Sequence, residues 1–153
     1  GLTPVGANAD TVHDTFVSNL KFAANALEAA GIRLLIEPIN TRDIPGFYLI
    51  GTRQALDVIA ATGSDNIALQ YDIYHMQIME GDLAPTIQAN LARIEHMQLA
   101  DNPGRHEPGT GEINYPFLFD FIDGLGYEGW IGCEYKPAAA TVDGLDWIRP
   151  YLG

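Results

Sequence analysis

Four side chains able to offer an oxygen to a cation recur along this sequence, each closing a short apolar run. They are Glu37 in LLIEP, Asp72 in LQYDIYH, Gln98 in EHMQLAD and Glu134 in IGCEYKP. Asp101 follows closely after Gln98 in the third of these runs. Consecutive members lie 35, 26 and 36 residues apart, roughly one strand-plus-helix unit each, which would set them on adjacent strands of a parallel sheet. Side chains alternate in and out along a strand, so Glu37 shares a face with Leu35, Asp72 with Gln70 and Ala68, Gln98 with His96, and Glu134 with Gly132. Three carboxylates and an amide oxygen on one rim repel one another unless a cation neutralises them. Oxygen donors favour Mg²⁺ or Mn²⁺ over zinc, which prefers nitrogen and sulfur. Taken singly, each acid reads equally well as a solvated residue at a loop start. Recurrence at matched strand ends favours a ring.

Other residues stand where they could touch a ligand. His75 comes three residues after Asp72 and reads either as a ligand contact or as a structural histidine at a helix start. The loop DNPGRHEPGTGEINY carries Arg105 and His106. Arg105 could pair with a carboxylate through two parallel hydrogen bonds, or be a solvated turn residue after Pro103 and Gly104. Lys136 reads as a ligand contact or an outward ion-pair partner, with nothing to choose between them. Trp130, Trp147 and the run Phe117, Phe119, Phe121 read as core and helix packing rather than a recognition surface.

The elements that must position these groups alternate. Apolar Val12, Phe16, Leu20, Ala23, Ala24 and Leu27 recur at helical spacing and Gly31 stops the pattern, predicting a helix over 10–30. Strands are predicted over 33–37, 67–72, 94–100 and 130–135, and Pro38 blocks further pairing after the first. Helices are predicted over 52–61, 85–91, 116–125 and 142–151, the third opened by Pro116. Four strands, each followed by a helix, make an α/β fold with a parallel sheet. An eight-stranded (β/α)8 barrel typically needs about 250 residues, so residues 1–153 read as one domain comprising about half a barrel. A half-barrel leaves an unpaired edge at each side, and a second copy or a missing amino-terminal half is expected to cover them.

Composition narrows the partners. The 153 residues are 47% hydrophobic and 18% charged, enough for a sizeable core. Eight Lys and Arg against 20 Asp and Glu give a formal charge of −12, which repels phosphate backbones and anionic lipid. Neither nucleic acid nor a membrane is expected as a partner. The single cysteine, Cys133, cannot close an internal disulfide, and no segment resembles a signal peptide or a membrane span, so a cytoplasmic location is expected.

The stretches LLIEPIN, LQYDIYHMQ, HMQLADNPGRHEPGTGEINYPFLF and GWIGCEYKP resemble the hydroxypyruvate isomerase family, within the xylose isomerase-like TIM barrels that also include ketose epimerases. PGRHEPGTGEINY and GCEYKP are the most specific parts. The resemblance spans nearly the whole chain and corresponds to the carboxyl-terminal half of the family's barrel. It implies Glu37 and Glu134 as catalytic residues, and Glu37, Asp72, Gln98 and Glu134 as ligands of Mg²⁺ or Mn²⁺. It places His75 and Arg105 at substrate-contacting positions. Gln98 stands where the epimerases carry a histidine ligand and so favours the isomerase branch. The implied reaction interconverts hydroxypyruvate and tartronate semialdehyde by proton transfer between the two glutamates through a metal-stabilised enediolate, with a hydroxy-keto acid as the small-molecule partner. Two alternatives stay open: a ketose 3-epimerase, and a non-catalytic truncated half-barrel that binds metal or self-associates.

Overall fold

The computed structural model describes residues 1–152. Helix α1 (Ala9–Glu28) is capped by Asn8, whose side chain accepts from Thr11 N–H. Strand β1 (Leu34–Ile36) follows, then α2 (Thr52–Thr62), closed by Gly63 at φ 64°, a left-handed conformation that glycine adopts without steric cost. Next come β2 (Ile67–Asp72), α3 (Ile73–Met79), α4 (Leu83–Asn90), β3 (Ile94–Leu99), α5 (Tyr115–Gly124) and β4 (Trp130–Cys133). A 3₁₀ segment, Thr141–Tyr151, ends the described chain.

The four strands form one parallel sheet in the order β1-β2-β3-β4. This is the α/β half-barrel expected. Two elements differ from the sequence reading. Helix α3 is not among the predicted helices, although one reading of His75 puts it at a helix start, because β2 runs into it without a loop and the apolar letters of IYHMQIM give no break. The last element is 3₁₀ with no buried residue, and Pro150 inside it removes a backbone donor that an α-helix would need.

The two faces of the sheet are treated differently. Leu69, Tyr71, Met97 and Leu99 point to the helical layer and are at most 2% exposed. The other face carries Gln70, Asp72, His96, Gln98, Trp130 and Gly132 in register, and most of these remain partly exposed. Trp130 is 82% exposed, which corrects its assignment to the core: it lies at the open edge of that second face, where none of the described residues covers it. Phe117 is also exposed, on the outer side of α5 and stacked on Phe121, because residues two apart on a helix cannot both face the core. Phe119 and Trp147 do pack together, their ring centroids 6.2 Å apart.

Candidate active site

Glu37 is the first residue beyond β1, and Pro38 after it ends the ladder, so the carboxylate stands at the strand's mouth. Its Oε2 accepts from Gln70 Nε2 at 2.9 Å. Its Oε1 is buried and has no hydrogen-bond partner among the described residues. Asp72 closes β2 and caps α3: Oδ1 accepts the backbone N–H groups of Tyr74 (2.8 Å) and His75 (3.2 Å). One oxygen thus ends the strand and starts the helix, leaving Oδ2 for the site. The cap sets His75 on the first turn of α3, with Nε2 3.9 Å from Glu37 Oε1 and 3.7 Å from Asp72 Oδ2. Ligand-type atoms of Glu37, Asp72 and His75 all lie within 4.8 Å of one another, a cluster that could hold a metal ion.

The electrostatics say what the cluster lacks. Burial, then the charges of Asp72 and Glu134, push Glu37 from 4.5 up to about 7. Burial pushes Asp72 from 3.8 up to about 6, against the opposing hydrogen bond from His75 N–H and the charge of Arg105. Burial, with Arg105 beside it, pushes His75 down to about 4. Two carboxylates that resist ionisation and one orphaned carboxylate oxygen make a donor set short of positive charge. A bound cation would supply that charge.

Gln98 and Glu134 are placed around this cluster. Gln98 pairs with Asp72 in register, and its Oε1 accepts from Gln70 Nε2. Gln70 therefore ties Glu37 to Gln98 across three strands. Glu134, just past β4, is 53% exposed and ion-paired with Arg105 Nη2 at 2.9 Å. The loop after β3 brings Arg105 there: Lys136 N–H donates to Arg105 O at 2.7 Å, and His106 Nδ1 lies 2.7 Å from Lys136 O. Arg105 holds φ 58° and places its guanidinium 5.1 Å above the Tyr74 ring. The Lys136 side chain is exposed and makes no ion pair among the described residues.

Asp101 lies outside the ring. It is fully buried and accepts the backbone N–H groups of Asn102, Gly109, Gly111 and Ile113, so it folds the loop that carries Arg105. Sequence reasoning noticed Asp101 without that role and gave no role to Gln70 or Asn40. For Gln70 the signal was present: it is the one amide in a strand otherwise apolar up to Asp72, on the same face as that aspartate. For Asn40 there was none, because its partner lies 35 residues away.

Comparisons place this arrangement among known proteins. Residues 2–151 match the family model described as xylose isomerase-like TIM barrel. The chain is 56% identical over 151 residues to a hydroxypyruvate isomerase of Escherichia coli (strain K12), covering 99% of this chain and 58% of that protein. It is 50% identical over 153 residues to a 2-oxo-tetronate isomerase of Cupriavidus necator, covering 59% of it. A crystal structure from Brucella melitensis, titled as an AP endonuclease of family 2, superposes with a TM-score of 0.93 at 41% identity over 96% of this chain and 57% of that one. The chain spans a little under three fifths of the length of the curated relatives it matches.

Proposed function

The chain belongs to the xylose isomerase-like TIM barrel family, and from that membership we propose that it carries the proton-transfer half of an isomerase for small hydroxy-keto acids, converting hydroxypyruvate to tartronate semialdehyde. One observation carries the reading. Glu37 is a partly buried carboxylate raised to about 7, with a free oxygen aimed into a cluster of acids at the mouth of parallel strands. A carboxylate titrating near neutrality can both take and return a proton, which an aldose–ketose shift requires.

The net change moves one proton from the hydroxymethyl carbon to the neighbouring carbonyl carbon, and one hydroxyl proton from oxygen to oxygen. Glu37 and Glu134 divide the carbon-centred transfers, one as base and the other as acid, with an enediolate between. Arg105 receives the substrate carboxylate, a role supported by its ion pair with Glu134 at the site's edge. When bound, Mg²⁺ or Mn²⁺ held by Glu37, Asp72, Gln98 and Glu134 would polarise the carbonyl and stabilise the enediolate charge, a contribution of several kcal/mol. His75 contributes a ring nitrogen at the edge of the same space.

The test is hydroxypyruvate isomerisation by this chain with and without Mg²⁺ or Mn²⁺, beside ketohexose epimerisation and the Glu37→Gln variant. Metal-dependent turnover of hydroxypyruvate that falls roughly 10²-fold to 10⁴-fold in Glu37→Gln supports the reading. Turnover surviving Glu37→Gln overturns the assignment, and preference for the ketohexose moves it to the epimerase branch. Cation binding without turnover makes the chain a ligand-bearing half with no chemistry of its own.

A further inference from the structure

The ring of His75 is held from behind by groups whose roles are fixed. Its Nδ1 lies 2.6 Å from Asn40 Nδ2 and 3.3 Å from the Asn40 backbone nitrogen. The orientation of the Asn40 amide is not free. Asp43 N–H, which can only donate, reaches Asn40 Oδ1 at 2.7 Å. The Asp43 carboxylate accepts from Asn40 Nδ2 at 3.1 Å and from the Tyr74 hydroxyl at 2.8 Å. Turning the amide over would set oxygen against the Asp43 carboxylate and N–H against N–H. Nδ2 therefore faces His75, and both neighbours of Nδ1 are donors. An imidazole nitrogen facing two donors must present its lone pair to them.

From this geometry we infer that Asn40 is a positioning residue that locks His75 as the Nε2–H tautomer, so that His75 offers the acidic pocket a hydrogen-bond donor and the pocket's cation ligands are oxygens alone. A histidine that binds a metal donates its remote N–H to a carboxylate or carbonyl, which frees the other nitrogen for the ion. Here the arrangement is reversed: the remote nitrogen accepts, and the hydrogen sits on the nitrogen facing Glu37 and Asp72. Both residues are buried, Asn40 at 0% and His75 at 2% exposure, so water does not compete for these contacts. The donor also suits the reaction class, because carbonyl and enediolate oxygens accept hydrogen bonds. The inference deepens the proposed function and rests on it only for that last consequence.

The tautomer is measured without metal or substrate, so its failure is separate from failure of the isomerase reading. Long-range ¹H–¹⁵N correlation spectra of the ¹⁵N-labelled chain in chelator near neutral pH distinguish the bare ring nitrogen from the protonated one. The His75→Gln spectrum assigns the His75 signals among the four histidines. The expected result is a bare, pyridine-like Nδ1 and a protonated Nε2. Asn40→Asp replaces the nearer, side-chain donor at Nδ1 with a carboxylate acceptor and keeps only the longer 3.3 Å backbone contact, so Nδ1 should then become protonated. A pyridine-like Nε2 or a doubly protonated ring in the unaltered chain overturns the inference. So does a pyridine-like Nδ1 that persists in Asn40→Asp. If Asn40→Asp does not fold, the spectrum of the unaltered chain decides alone.

Discussion

At the scale of single residues, burial makes the candidate site sensitive to pH in a definite direction. An acid whose value in the folded chain lies above its unfolded value favours folding while protonated. For Glu37, raised from 4.5 to about 7, that contribution is present below about 4.5 and is lost as pH rises to about 7. Asp72, raised from 3.8 to about 6, works in the same sense as Glu37, and His75, lowered from 6.5 to about 4, works in the opposite sense as pH falls between those values, so the unaltered chain alone would mix the three. Comparing the chain with Glu37→Gln in chelator isolates Glu37. The melting temperature of the unaltered chain, relative to the variant, should drop across pH 4.5 to 7 and level off above. A difference that does not change with pH contradicts the environment described for Glu37. Adding Mg²⁺ or Mn²⁺ above pH 7 should raise the melting temperature of the unaltered chain more than that of the variant.

At the scale of elements, two carboxylates do backbone work that their place in the sequence hides. Asp72 caps α3 with one oxygen and faces the site with the other. Asp72→Asn keeps an amide oxygen for the cap and should fold while losing Mn²⁺ binding. Asp72→Ala loses both and should be about 1 kcal/mol less stable than Asp72→Asn in urea titrations. Asp101 gathers four backbone N–H groups in the loop after β3, so Asp101→Ala strands buried donors and should cost roughly 3 kcal/mol or more. The same loop has no room for a side chain at Gly111, where a Cβ would collide with Asn102 O and Asp101 Oδ1. Arg105 owes its position beside Glu134 to this loop, so its misfolding should also weaken binding of any acidic substrate.

At the scale of the whole molecule, the sheet is finished on one side only. Its helical face is packed, whereas the face with the candidate ligands is open, and among the described residues β1 and β4 each leave an edge unpaired by another strand. Unpaired parallel edges invite further strands. Trp130 marks the open face, in register with His96. Covering that face should shift Trp130 emission to shorter wavelength and protect it from a soluble quencher. Trp130→Phe supplies the background from Trp147. Sedimentation across a concentration series reports whether a second copy of this 16.7 kDa chain provides the cover. Protection that grows with mass supports pairing between copies, and a monomer with freely quenched Trp130 at all concentrations excludes it.

Much of this was legible without coordinates, for a physical reason. Strand alternation and the strand–helix repeat are local, so the parallel half-barrel and the placement of Glu37, Asp72, Gln98 and Glu134 near strand ends follow from period and spacing. Only the tertiary structure decided how those groups are occupied. Gln70 bridges Glu37 and Gln98, Arg105 engages Glu134, and Asn40 reaches His75, each across 28 to 35 residues of chain. Such partnerships depend on register and loop path, which sequence periodicity does not encode. The same holds for Trp130: its type suits a core, but its exposure depends on which elements lie across from β4, and none of the described ones does. The residue types set what chemistry was available, and the packing set which oxygen is free, which is capped, and which nitrogen carries the hydrogen.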